Sequence, residues 1–526
     1  LVQTEALAAM TGVRLSADEL DAAWREVLLF LEHTWGSWNS VSEPQAEFTI
    51  SQWERKKEFA ENAVAQSSRL RRRALGSAPS DAPAATPPAA IDVLNSTQWE
   101  RSGVVVLPPE KAGLIDGLLD ANGAEVESQR LADGSLAFQA GAIRPWSGVR
   151  YRVLPGRATA SHADASAGSP GAGATLDNGR VRVVLDGRSG GIASLQRLAQ
   201  GRELVPAGEV MDEYLYVPGR DPAAVEAGGS ARVRLVDSGP LVWTAAVTRQ
   251  APGTEDGLET RVRLFAGSDR VEITHRFDKT MTYDPEAVLL RLPVAIEPGS
   301  TVVSGPFGAW RPDTEQAPGA NHNYATLERW ADLHDEAGGL QFVSVDIPGI
   351  QLGSIGTDAT VAGWRESTDS APVLYSYVMN NYWETNYRAG QDGPHELRYT
   401  LRPHGEFDEA EAERFALQVA QPLVTRATEL AAPIPGPPLR VSADRAVVTL
   451  LRVHDDGPGL LLRLYNPSAE TDSVRVAGPD GSPPASVVRS DPWGEPIAAD
   501  GAGAPASAGG PISLAPREVA TFLVEP

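Results

Sequence analysis

At roughly 150 residues per domain, a chain of 526 residues is too long for one compact core and suits about three or four domains. Asp and Glu number 69 against 46 Lys and Arg, and a net charge of −23 is the wrong sign for a surface that neutralises phosphates or anionic lipid. No nucleic acid and no membrane partner is therefore expected, and zero cysteines remove disulfides, Cys-ligated zinc and thiol nucleophiles together.

Hydrophobic residues are 42% and charged residues 22%, as in chains that fold, while 50 Gly and 41 Pro favour short strands joined by turns. No apolar run approaches the ~20 residues of a membrane span, so a soluble protein is expected, with cytoplasmic and secreted locations both open. The chain begins Leu1-Val2-Gln3 without Met or an apolar leader, as expected of a piece of a longer polypeptide.

Residues 1–76 read as a helical bundle. Ser16-x-x-Glu19 has the spacing of a capping box, and Leu20, Trp24, Val27, Leu28 and Leu31 follow on one helical face. Leu29 and Phe30 lie off that stripe, so the last turns should be buried on two sides, by later β domains or by a domain upstream. A second helix is predicted over residues 50–75, with Trp53, Ala60, Ala63, Val64, Leu70 and Ala74 on one side; its basic end, residues 69–73, complements the helix dipole.

Residues 77–90 form a Pro/Ala linker, and residues 91–170 a small β domain with runs such as Gly103-Val104-Val105-Val106-Leu107. Strand patterns then recur over residues 171–405 without a convincing helix, which predicts a large antiparallel β-sandwich. A connector spans 406–438. Residues 439–526, with Leu460-Leu461-Leu462-Arg463-Leu464-Tyr465 as the best core strand, read as a C-terminal β-sandwich.

Phosphate-loop, dinucleotide, HExxH and GxSxG motifs are all absent, and the eight histidines share no metal-ligand spacing. Asp346, Glu384 and Asp392 read as solvated surface among 69 acidic residues. His33 ends the first amphipathic helix and precedes Thr34-Trp35-Gly36-Ser37-Trp38. From spacing alone it is either a histidine hydrogen-bonded inside the bundle or a ligand-binding one beside two tryptophans suited to a sugar. Asn380-Asn381-Tyr382-Trp383-Glu384-Thr385-Asn386-Tyr387 follows a good strand and is richer in amides and aromatics than a turn requires. Such side chains either bind sugar hydroxyls and C–H faces or satisfy backbone groups at a sharp sheet corner.

Four segments in order resemble glycoside hydrolase family 38, the α-mannosidases. They are residues 20–36, ending Glu32-His33-Thr34-Trp35-Gly36; Leu176-Asp177-Asn178-Gly179-Arg180 with Gly190-Gly191-Ile192-Ala193-Ser194-Leu195; Phe277-Asp278-Lys279; and residues 375–387. The likeness covers nearly the whole chain. It implies a mainly β fold with an N-terminal helical bundle, a small β domain, a large mutarotase-like super-β-sandwich and a C-terminal β-sandwich.

In that family a helix after a catalytic (β/α) barrel delivers a histidine to zinc, which makes His33 the implied metal ligand. Trp35, Asn380, Asn381, Tyr382, Trp383 and Asn386 are the implied substrate-binding residues, with the 380–387 segment approaching the end of the helix that carries His33. The family's catalytic carboxylates and remaining zinc ligands belong to the barrel, which does not precede Leu1, so no catalytic residue is expected in this chain. Thr34 replaces the Asp often found after the zinc histidine, as in a bacterial HTWG branch, and this bears on sugar specificity.

The implied function is retaining hydrolysis of terminal α-mannosides or related glycans, with zinc as cofactor. The barrel of the same protein is the implied partner, and a homo-oligomer remains open. Two other classes fit a helical region joined to β-sandwiches: a polysaccharide lyase, whose toroid needs several times the ~76 helical residues here, and a non-catalytic carbohydrate-binding β protein.

Overall fold

The computed structural model describes residues 1–34, 36–76, 86–156, 171–297, 299–358, 363–369, 371–383, 386–455, 457, 459–497 and 510–526. Most of the expected linker (77–85), together with Trp35, Glu384 and Thr385, lies outside them. The chain forms two compact units, one of residues 1–32, 55–160 and 409–526, the other of residues 33–54 and 161–408. No described helix is long and apolar enough to cross a membrane.

In the first unit, helix α1 (Val2–Thr11) stops at Gly12, whose φ of 70° is cheap only for glycine. Its buried face, Leu7 and Met10 included, joins the core of the C-terminal sandwich through Leu451, Leu462 and Phe522. Helix α2 (Ala17–Leu31) starts at Ser16 as expected, but the Ser16 hydroxyl makes no capping bond and Glu19 pairs with Arg73 instead. At its other end the Lys56 ammonium donates to the carbonyls of Leu29 (2.8 Å) and Glu32 (2.7 Å), satisfying groups a helix end leaves bare. Leu28 and Leu31 of the main stripe are 65% and 68% exposed, whereas Leu29 and Phe30 are half-buried.

Helix α3 spans Glu47–Ala74, three residues earlier than the pattern suggests. Leu70 and Ala74 are buried, whereas Val64, expected on the same stripe, is exposed.

Strands Val424–Thr428, Ala90–Asn95, Ser147–Pro155 and Ile115–Leu119 lie side by side in that order. The expected connector therefore donates an edge strand to the small β domain, and a helix, Glu409–Ala420, precedes it. Asp92, fully buried, accepts from Arg150 (2.7 and 2.9 Å) and from Arg426 (3.0 Å) across these strands. The C-terminal sandwich stacks a sheet built on Leu460–Tyr465 against the strands around Asp472–Ala477. Leu464, Val474, Leu514 and Phe522 fill the space between them.

The second unit is the predicted large sandwich. A nine-stranded antiparallel sheet runs from Ala231–Ser238 through Val271–Lys279 and Gly393–His404 to Gly308–Trp310. Facing it are a six-stranded sheet, containing Glu213–Pro218, Glu286–Pro293 and Val373–Asn380, and a four-stranded sheet containing Val181–Leu185. Alternating apolar residues such as Val262, Ile273, Leu290, Leu374 and Leu401 make one shared core.

Asp332 is buried between His334 and His404, each 2.9 Å away. Burial pushes the Asp332 carboxyl up, but the two imidazoles outweigh it and hold the carboxyl below the usual carboxylate range. A folded value below the unfolded one adds stability above the unfolded pKa, and that stability is lost as pH falls through the folded value. Denaturant titrations should therefore show wild-type stability dropping as pH goes below about 4. Asp332→Asn should be less stable at pH 7 by about 1–3 kcal/mol and flatter in that acid range. Parallel acid limbs in the two proteins would refute this account.

Candidate functional site

The site is built where two antiparallel strands of the six-stranded sheet end, with Ala287 opposite Asn380. Alternation puts Leu289, Tyr375 and half-buried Tyr377 on the face away from the shared core, with Tyr382 packed beside them. Asn381 closes the corner. Its Oδ1 accepts from the Glu286 N–H at 2.5 Å, and its Nδ2 donates to the carbonyls of Asp284 (2.7 Å) and Ala389 (3.1 Å). The Tyr387 hydroxyl donates to the Asn381 carbonyl.

An ion pair lies under this corner. The Lys279 ammonium, fully buried, sits 2.8 and 3.0 Å from the two carboxylate oxygens of Glu286 and also donates to the Thr280 carbonyl. The Tyr216 hydroxyl donates to Glu286 at 2.8 Å, and burial together with that carboxylate drives the phenol far above its usual range. Arg220 reaches the corner from the end of a neighbouring strand. It donates to the Tyr382 carbonyl at 2.6 Å, and its guanidinium carbon is 5.3 Å from the Tyr382 ring centre. The Tyr382 hydroxyl is buried without a hydrogen-bond partner among the described residues, and burial raises its pKa against the pull of Arg220. The Tyr387 phenol is pushed up to about 12 by burial, again with Arg220 opposing.

The segment that follows α2 meets the corner. Gly36 fits closely there, since a Cβ would come 3.0 Å from Ser40 Cβ and Trp53 Nε1 and 3.1 Å from the Tyr387 carbonyl oxygen. The Asn386 N–H donates to the Ser37 carbonyl at 3.3 Å, and the Arg388 guanidinium lies 5.9 Å from the Trp53 ring centre. Behind these contacts the Ser37 and Thr49 hydroxyls share Asn39 Oδ1, fixing the loop before α3.

The expected residues fall into two groups. Asn381 and Tyr382 are buried, and the Asn381 amide is spent on backbone, so the corner reading accounts for it and the sugar-contact reading does not. Asn380 is half-buried and accepts from the Tyr382 N–H at 3.3 Å. Trp383, 45% exposed and edge-on to Tyr324 at 6.4 Å, and Asn386, with φ 63°, face outward. His33 is exposed just beyond the end of α2. Among the described residues no group of three or more His, Asp or Glu side chains could hold a metal ion, so zinc at His33 would need ligands from elsewhere.

Arg220, Glu286 and Tyr216 were not singled out from sequence, and Lys279 entered only within the Phe277-Asp278-Lys279 segment, with no role assigned. One signal was available: the strand Val-Glu-Ile-Thr-His-Arg-Phe-Asp-Lys alternates, so Lys279 occupies an inward position that an apolar residue would normally take.

No protein-family model matches the sequence, and no curated protein matches it. Solved structures do match in fold. An α-mannosidase from Enterococcus faecalis V583 superposes with a TM-score of 0.69 at 12% identity, covering 99% of this chain and 65% of its own. A glycosyl hydrolase family 38 protein from Enterococcus faecalis gives 0.71 at 13% identity, covering 99% and 68%. The chain thus has the fold of family 38 glycoside hydrolase structures along almost all of its length. It spans about two thirds of theirs.

Proposed function

We propose that this chain is the carboxy-terminal portion of a zinc-dependent, retaining glycoside hydrolase that removes terminal α-mannosyl residues, with its catalytic carboxylates on an upstream barrel. The observation that carries the reading is the junction of Gly36 and Ser37 with the Asn386–Tyr387 segment, in a chain that shares its fold over 99% of its length with two family 38 structures.

Within this reading, His33 supplies one zinc ligand, and the zinc, when bound, would hold sugar hydroxyls. The Trp383 face covers the C–H side of the sugar and the Asn386 amide bonds to its hydroxyls. Asn381 and the Lys279–Glu286 pair are positioning residues that hold the corner carrying both. Proton transfer and nucleophilic attack fall to the barrel's carboxylates.

The isolated chain should show no turnover of an aryl α-mannoside above a buffer control, because both carboxylates normally carry several orders of magnitude of rate. The polypeptide that includes the barrel should be active, and His33→Ala in it should lower zinc content and activity together. In the same polypeptide Trp383→Ala should lower kcat/KM about tenfold with little change in melting temperature. Hydrolysis by the isolated chain, or full zinc and activity in His33→Ala, would overturn the reading.

A further inference from the structure

A cavity of about 340 Å³ lies within the first unit, between α1, the start of α2, Arg73 and the residues that end strand Val447–Val453. Glu5 on α1 is only 3% exposed yet lines it. Its Oε1 accepts from the Trp24 indole at 3.0 Å. Burial raises the Glu5 pKa, the indole bond opposing, so the carboxyl is held at a cost in desolvation that a ligand could offset. Two polar atoms of the cavity's lining residues, Arg452 Nε and His454 Nδ1, are buried without partners among the described residues.

The charges cancel once Glu19 beside the lining is counted. Arg452 pairs with Asp455 and Arg73 with Glu19, and Arg14 spends both terminal nitrogens on the carbonyls of Asp455 and Gly457 at 3.2 Å, so three guanidiniums stand against three carboxylates, Glu5 being the third. A site with no net charge favours neither a strong anion nor a strong cation. Val13, Leu15 and Leu20 supply an apolar wall. The turn that carries Gly494 packs on His454, where a Cβ would come within 2.8 Å of the ring. Carboxylate, guanidinium and imidazole groups beside an apolar wall are what a pyranose, polar at its rim and apolar on its C–H faces, requires.

We propose that this cavity binds a neutral, hydroxyl-rich ligand of monosaccharide size, with Glu5 accepting from ligand hydroxyls and Arg452 and His454 donating to ring or hydroxyl oxygens. This stands independently of the hydrolase reading, since it uses no residue of the candidate site.

The test is a titration of the 526-residue chain with methyl glycosides of mannose, glucose and galactose, with glucuronate and glucosamine as charged counterparts. The Trp24 indole N–H resonance, assigned through Trp24→Phe, is the readout. At least one neutral glycoside should shift it saturably in the millimolar range. Glu5→Gln and His454→Ala should each weaken that binding about tenfold, while Trp383→Ala leaves it unchanged. The proposal fails if no neutral glycoside moves the resonance, if glucuronate or glucosamine binds more tightly than all three, or if both cavity variants bind as the wild type does. Should either variant not fold, the wild-type titration and the charged counterparts still decide.

Discussion

Replacing Lys279 by Met is expected to destabilise the second unit by about 3–5 kcal/mol, because it leaves the Glu286 carboxylate buried with only the Tyr216 hydroxyl and neighbouring dipoles to hold its charge. The loss should extend beyond the pair, since Glu286 sits at the strand end whose N–H and carbonyl Asn381 engages. Hydrogen exchange should quicken at Glu286, Asn381 and Ala389 together. Lys279→Met combined with Glu286→Leu should recover part of the loss, because a pair of apolar residues leaves no uncompensated charge. Calorimetry that finds the single variant within about 0.5 kcal/mol of wild type would mean that the pair does not support the corner.

Asp92→Ala is the second large effect. Asp92 is the anion between two guanidiniums, and its removal leaves Arg150 and Arg426 facing each other across the sheet. Arg150 would retain the carbonyls of Leu430 and Ala432, and Arg426 that of Pro433, so the residues beyond the edge strand lose their charge anchor but keep neutral bonds. A loss of about 3–5 kcal/mol is expected in the first unit, with Val424–Thr428 becoming protease-sensitive before any other strand of its sheet. Cleavage that begins elsewhere in the unit would count against this role. Asp92→Asn, which keeps the shape without the charge, should fall between the two.

The sequence shows most clearly what is set by neighbours along the chain. The alternation of residues 261–265 and of 271–274 and the apolar run 460–465 each announce a strand, and each lies in one, because a half-buried or buried strand carries its pattern within itself. Residues 424–428 give no such signal. The stretch is short, only its first residue is buried, and its partner is Ala90–Asn95, so what makes it a strand is not local. The capping box fails for a similar reason: Ser16 and Glu19 have the right spacing, but Arg73 offers Glu19 a charge that a backbone N–H cannot match.

The candidate site divides along the same line. The meeting of the segments after His33 and around Asn386 was legible through family resemblance, but the role of Asn381 was not. An Asn that bonds sugar and one that bonds Glu286 N–H are the same letter, and only the fold brings Glu286 to it. Arg220 was hidden among 46 basic residues until Tyr382 lay beneath it.

The interrupted first unit also bears on synthesis. Strand Ala90–Asn95 is made about 330 residues before Val424–Thr428, which at about 5–20 residues per second is a wait of roughly 20–70 s. Throughout it one edge of that strand lacks its partner and Asp92 has only Arg150, while the inserted second unit, already complete by residue 408, is free to fold. The nascent chain is therefore open to edge-to-edge association not in its large sandwich but in the four-stranded sheet of the first unit, and the emergence of Val424–Thr428 is the step that ends the exposure.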